Sequence, residues 1–292
     1  MTESDIELLK RRTELRRTGE MRSQNRHPGD PIMKIKHILF ASAFALATSA
    51  SAAAAEMAIG LVGDNTLVMI DGSKPAITKT MKVDGVSKLH GIDVRPANKM
   101  LYGVADDGTV VTIDLGSGKA TKVSKLDTML PAGVAAIVDF NPAADKLRFM
   151  GTDGTNLRAD VDTGKVMTDG KLAFEEGDMH KGEKPNVVAA AYSNAFGKPE
   201  KTAMYDIDAT IGALIHQTKP NDGSLKAIGK LGIDKAKSYA FDIHTTADGK
   251  NTAWLVAGDT LYTVALDTGK ATQVGQIAGA RDTIRDIAVL AR

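Results

Sequence analysis

LHGIDVRPANKMLYGVADDGTVVTIDLGSGKATKV, residues 89–123, holds several short strands and the turns between them. The same pattern returns as AAIVDFNPAADKLRFMGTDGTNLRADVDTGKV from Ala135, as VVAAAYSN onward from Val187, and as YAFDIHTTADGKNTAWLVAGDTLYTVALDTGKATQVGQI from Tyr239. A further copy is split. Its first strand, TIRDIAVL, occupies residues 283–290, and its other strands are MAIGLVGD (57–64), TLVMIDG (66–72) and ITKTMKV (77–83). A repeat of about 40–50 residues built from several short strands is the mark of propeller blades. One blade shared between the two ends of the chain closes a ring. The expected fold is all-β: a five-bladed β-propeller of four-stranded blades, the first blade closed by the C-terminal strand.

Within each copy, apolar and polar residues alternate, as in TVVTID and TLYTVAL, which suits half-buried strands. Asp106-Asp107-Gly108, Asp153-Gly154 and Asp248-Gly249 break the strands with residues that tolerate positive φ. A recurring Asp-x-x-x-Gly or Asp-Thr-Gly followed by Lys reads as the turn between the last two strands of a blade. An aspartic-protease motif is rejected, because it needs two such acids sharing a proton, whereas these recur blade after blade. Pro220-Asn221-Asp222-Gly223-Ser224 reads as a hairpin turn, and residues 175–186 (EEGDMHKGEKPN) as a long inter-blade loop.

Residues 33–55 (MKIKHILFASAFALATSASAAAA) have a basic start, an apolar middle and a small-residue end, the pattern of a secretory signal peptide. The polar, Arg-rich residues 1–32 read as an upstream extension, mis-assigned or disordered, and residues 56–292 as a single propeller domain. The whole chain has 37 Lys+Arg and 36 Asp+Glu. Residues 1–55 hold nine of the former and six of the latter, so residues 56–292 carry 28 against 30, a formal charge of −2. No basic stripe points to nucleic acid, and no charge block points to a membrane surface. With no cysteine, thiol catalysis, cysteine-bound zinc and iron–sulfur clusters are ruled out. A periplasmic or secreted monomer without a transmembrane anchor is expected.

Aligned first strands place Asp93, Asp139, Asp242 and Asp286 at one position, with Tyr192 in the fourth blade. Two residues on come Arg95, Asn141, Asn194, His244 and Ala288. Residues two apart share a strand face, and the first strand of a blade lies nearest the axis. Such a set could line a channel mouth and bind a ligand or hold Ca²⁺, with His244 opening the way to Zn²⁺. The plainer reading is that each Asp caps backbone N–H groups of the neighbouring blade, with Arg95, Arg148, Arg158 and Arg285 available as partners. The other histidines, His90, His180 and His216, form no ligand spacing, although His180 sits in an acidic loop with Glu175, Glu176, Asp178 and Glu183. No Gly-x-Ser-x-Gly, phosphate loop or haem motif is present.

The segments GIDVRPANKMLYGV, VDFNPAADKLRF, TNLRADVDTG, NVVAAAYSN and MYDIDATIGALIHQTKPNDGSLKAIGKLG resemble a bacterial exported family known as domain of unknown function 4394. The resemblance spans about residues 57–290. Its specific parts are Asp139, Asn141, Pro142, Asp145, Arg148, Asn156 and Arg158. It implies an exported repeat β fold and brings no catalytic residues or cofactor. The leading functional expectation is a non-enzymatic module binding a small ligand or an envelope protein. The alternatives are a metal-dependent lactonase- or lyase-like hydrolase using the channel, and a purely structural envelope protein.

Overall fold

A computed structural model describes residues 56–290, and all its regular structure is β-strand. The expected upstream extension of residues 1–32, the expected signal peptide of residues 33–55 and residues 291–292 lie outside the described residues. The strands run β1 (Met57–Val62), β2 (Thr66–Asp71), β3 (Ala76–Lys82), then β4 (Leu89–Arg95), β5 (Met100–Ala105), β6 (Thr109–Ile113) and β7 (Ala120–Lys125). Next come β8 (Ala136–Asn141), β9 (Lys146–Gly151), β10 (Asn156–Ala159), β11 (Val166–Thr168) and the short β12 (Ala173–Phe174). The chain ends with β13 (Val187–Tyr192), β14 (Met204–Asp208), β15 (Ala213–Lys219), β16 (Ser224–Lys230), β17 (Tyr239–Thr245), β18 (Asn251–Ala257), β19 (Thr260–Val264), β20 (Ala271–Gln276) and β21 (Ile284–Leu290).

These strands make five sheets, the blades of a five-bladed propeller. Blade one is β21-β1-β2-β3, blade two β4–β7, blade three β8–β11, blade four β13–β16 and blade five β17–β20. Blade four gains a fifth strand, because β12 crosses over and pairs in parallel with β16. The segment 175–186 holds no strand, as expected of a loop.

Burial explains which strand lies inside. Every residue of β17 is buried, because an inner strand is pressed on both faces by neighbouring blades. The outer strands β3, β7 and β20 have no buried position at all. The apolar cores lie between blades: Tyr102, Val104 and Val110 of blade two pack with Val138, Phe140 and Phe149 of blade three. Blade one is closed by β21 pairing with β1 from Met57↔Leu290 to Val62↔Ile284.

The Asp-x-x-x-Gly turn does more than reverse the chain. Asp114 Oδ1 accepts the Ser117 N–H at 2.7 Å, and Asp160 Oδ1 accepts the Thr163 N–H at 3.0 Å. The closing glycines Gly118, Gly164 and Gly269 have φ of 79°, 78° and 77°. They also lie against the outer strand of the preceding blade. A Cβ on Gly164 would fall 2.0 Å from the Lys125 carbonyl oxygen, and one on Gly269 2.4 Å from that of Gly229. Glycine is therefore required both for the backbone angle and for blade-to-blade approach.

Candidate functional site

The innermost strand of each blade has one edge facing the axis, without a ladder partner. A buried, unpaired N–H is costly, so something must satisfy these groups. The aspartates do so from blade to blade. Asp286 Oδ2 accepts the Ile92 N–H at 2.8 Å, and Asp93 Oδ2 accepts that of Phe140 at 2.6 Å. Asp139 Oδ1 accepts that of Tyr192 at 2.9 Å, and Asp242 Oδ2 that of Val289 at 2.5 Å. Asp93, Asp242 and Asp286 also take the amide of the next residue in their own strand. This is the capping role the sequence offered as the plainer reading.

The missing step lies between blades four and five. The Tyr192 side chain turns back into the core shared with blade three, beside Ile137 and Met150, and its hydroxyl meets the Arg148 guanidinium at 3.1–3.2 Å. The residue that faces blade five is Ala191, in the cluster with Phe241 and Ile243. The alignment of Tyr192 with the aspartates is thus one residue out: β13 and β4 share an early register shift, and counted from it Ala191 holds the position that Asp93 holds in blade two. A one-residue slip on a strand swaps faces. The tie between these blades is made further along. Asn251 Nδ2 donates to Asn194 Oδ1 at 2.8 Å, the Asn194 N–H donates back to Asn251 Oδ1, and the Ala195 N–H donates to Thr245 Oγ1. Asn194 reaches this geometry at φ 60°.

Oxygens of Asp93, Asp139 and Asp242 lie within 4.8 Å of one another, and all three residues are buried. Among the described residues no Lys or Arg is ion-paired with them. Burial and mutual repulsion raise the Asp93 and Asp139 carboxyls well above their ordinary value. Burial pushes Asp242 up to about 6 and Asp286 to about 8. A cavity of about 50 Å³ opens beside them, lined among others by Asp93, Asp139, Tyr192, Asp242 and His244. That volume has room for roughly three to five water molecules at about 10–15 Å³ each. Asp286, Arg95, Asn141 and Asn194 do not line it.

The expected arginine partners are engaged elsewhere. Arg95 forms paired hydrogen bonds with Asp145 (2.6 and 2.8 Å) and with Asp162 (2.8 Å each), clamping blade two to blade three. Arg148 donates to Asp169 at 2.6 Å, Asn156 at 2.9 Å and Asn221 at 2.9 Å. Arg158 meets the same Asp169, and Asn156 Nδ2 donates to the Gly170 and Pro220 carbonyls. Asn141 accepts the Ala143 and Ala144 N–H groups and so fixes its own turn. The cluster Asp139, Asn141, Asp145, Arg148, Asn156 and Arg158 is therefore blade architecture: it locks blade three to blade two and to the Pro220–Gly223 hairpin of blade four.

Where the inner strands begin, the other end of the channel is wide. A cavity of about 750 Å³ is lined there by Lys88, His90, Lys235, Lys237 and Arg285, with Asp64 as its one acid. Lys88 lies 3.7 Å from Asp64. Arg285 spends its guanidinium on the Gly63, Asp64, Leu89 and His90 carbonyls. Lys235 and Lys237 have no ion-pair partner among the described residues. Burial and the charges of Lys88 and Arg285 lower the His90 pKa. Sequence reasoning missed this end. Its signal was a basic residue at or just before the inner strand in three blades: Lys88, Lys237 and Arg285.

The family model described as "Domain of unknown function (DUF4394)" matches residues 66–288. No curated protein matches the chain. Solved structures similar to it include a protein of unknown function from Bacteroides thetaiotaomicron (18% identity, TM-score 0.49, covering 80% of this chain and 64% of that one). An auxiliary nutrient binding protein from the same organism shows 11% identity and a TM-score of 0.43 over 74% of this chain and 58% of that one. A luciferin-regenerating enzyme shows 10% identity and a TM-score of 0.44 over 79% and 83%. The chain thus spans less than two thirds of the first two. Likeness at this level carries nothing about ligand or reaction.

Proposed function

The chain belongs to the DUF4394 family, and from that premise we propose that it is an exported binding module that takes a small anionic ligand at the wide end of its channel. One observation carries this: a cavity of about 750 Å³ whose lining includes Lys88, His90, Lys235, Lys237 and Arg285 against the lone acid Asp64. Its size falls within the roughly 300–1,000 Å³ of small-molecule sites. Two lysines, Lys235 and Lys237, without ion-pair partners among the described residues supply charge that an anion would neutralise, and field lines in a concave site concentrate it. Export rests on the leader pattern of residues 33–55.

Chemistry at the aspartates is the weaker reading. Their oxygens already accept backbone amides, and the space beside them, about 50 Å³, is too small for a lactone or sugar. A scaffold role in the envelope would leave the open basic mouth without a use.

The test is thermal unfolding of the full chain with citrate, glucuronate, glucose 6-phosphate or neutral glucose. At least one anion should raise the melting temperature, with no effect of glucose. No shift with any anion, or an equal shift with glucose, would refute the reading.

A further inference from the structure

At the narrow end, the three carboxylates pose a separate problem. Asp93, Asp139 and Asp242 come from three different blades, yet oxygens of all three gather within 4.8 Å. Like charges so close and so buried are unfavourable unless neutralised, and among the described residues no lysine or arginine is ion-paired with them. Lys99 lies on the cavity lining, but its ammonium is spent over the Phe196 ring, 5.8 Å from the centroid.

Two further observations point to a ligand. Asp139 uses only Oδ1, on the Tyr192 N–H, which leaves Oδ2 free. His244, 8% exposed, lines the same cavity, and among the described residues its Nδ1 has no hydrogen-bond partner, lying 3.4 Å from Glu56 Oε1. The amides already bound do not block a cation, because an ionised carboxylate has about four lone-pair sites.

We propose that Asp93, Asp139 and Asp242 together hold one hard divalent cation of calcium's size on the propeller axis. Calcium–oxygen distances of about 2.3–2.6 Å let ligand oxygens lie up to about 4.6–5.2 Å apart around one ion, which accommodates oxygens that lie within 4.8 Å of one another. Magnesium demands near-ideal octahedral geometry and keeps several of its waters rather than entering an all-protein cage, and zinc favours nitrogen and sulfur donors in a tetrahedron. The adjoining cavity has room for the waters that complete a coordination shell. The bound ion is structural: it bridges blades two, three and five, and this role is independent of any ligand at the wide end.

The test uses the full chain, purified without chelator, analysed for metal and then stripped with EDTA and titrated with CaCl₂. One equivalent of calcium is expected, and its return at a hundredfold over the dissociation constant should raise the melting temperature by about 5–11 °C. Asp139→Asn keeps an acceptor for the Tyr192 amide but removes the charge, and should abolish the calcium-dependent shift. Asp93→Asn is the second variant, should the first fail to fold. Absence of stoichiometric metal together with a melt unmoved by calcium would overturn the proposal. So would a shift that persists undiminished in the folded Asn variants.

Discussion

Removing Thr283–Arg292 should destroy the folded state, because it takes away the inner strand of blade one. Ile284, Ile287 and Val289 are 0%, 2% and 6% exposed and pack with Trp254 and Val256 of blade five, while Ala288 packs towards blade two. Burial of one such aliphatic side chain stabilises by about 1.5–3 kcal/mol, so these three account for about 5–9 kcal/mol. The ladder to β1 is lost as well, and so are the two inter-blade bonds made through Asp286 Oδ2 and the Val289 N–H. A domain is stable by about 5–15 kcal/mol in total, so little or nothing remains. The assay is circular dichroism with thermal unfolding of the truncated chain, alone and with a synthetic TIRDIAVLAR peptide. The truncated chain should lack a cooperative melt, and the peptide should restore one. A truncated chain that melts cooperatively within the 2–4 °C that about 1 kcal/mol moves a domain of this size would refute the closed-ring reasoning.

Arg95→Ala should cost about 1.5–3 kcal/mol in urea unfolding, since charged hydrogen bonds between blades two and three disappear; exposure of Asp162 keeps the value towards the low end. Gly72→Ala should destabilise by about 1–3 kcal/mol, because its Cβ would sit 1.8 Å from Trp254 Cη2 in the core between blades one and five. Asp206 is fully buried with neither oxygen hydrogen-bonded, and burial raises its pKa well above the ordinary value. Its folded state therefore holds the proton more tightly than the unfolded state. That contribution is fully present below the unfolded value near 3.9 and is lost as pH rises through the raised folded value. Asp206→Asn should flatten this decline, measured as urea midpoints at pH 4, 6 and 8, and an unchanged pH profile would show that Asp206 is not its source.

Blade architecture was legible because strand alternation and turn residues are local signals. TVVTID, TLYTVAL and the Asp-Gly steps fall where β6, β19 and their turns form. The split blade was legible because TIRDIAVL repeats an inner-strand pattern that has no neighbours of its own near the C-terminus. Tyr192 was misplaced because AAAYSN carries no acid to anchor the alignment, and a one-residue slip in a run of alanines changes facing without changing composition. The ion pairs of Arg95 with Asp145 and Asp162 join residues 50 and 67 positions apart, so no local pattern announces them. The basic mouth escaped for a related reason. Its residues come from strand starts and connecting loops of several blades, and only the ring brings Lys88, Lys235 and Lys237 together.

The most direct test of the account is isothermal titration of the strongest anion from the thermal screen into the full chain and into a Lys235→Glu/Lys237→Glu variant. The account predicts saturable binding to the unaltered chain and at least a tenfold loss, about 1.4 kcal/mol, in a variant that still melts cooperatively. Equal affinity in both proteins, or no saturable binding to the unaltered chain, would contradict it.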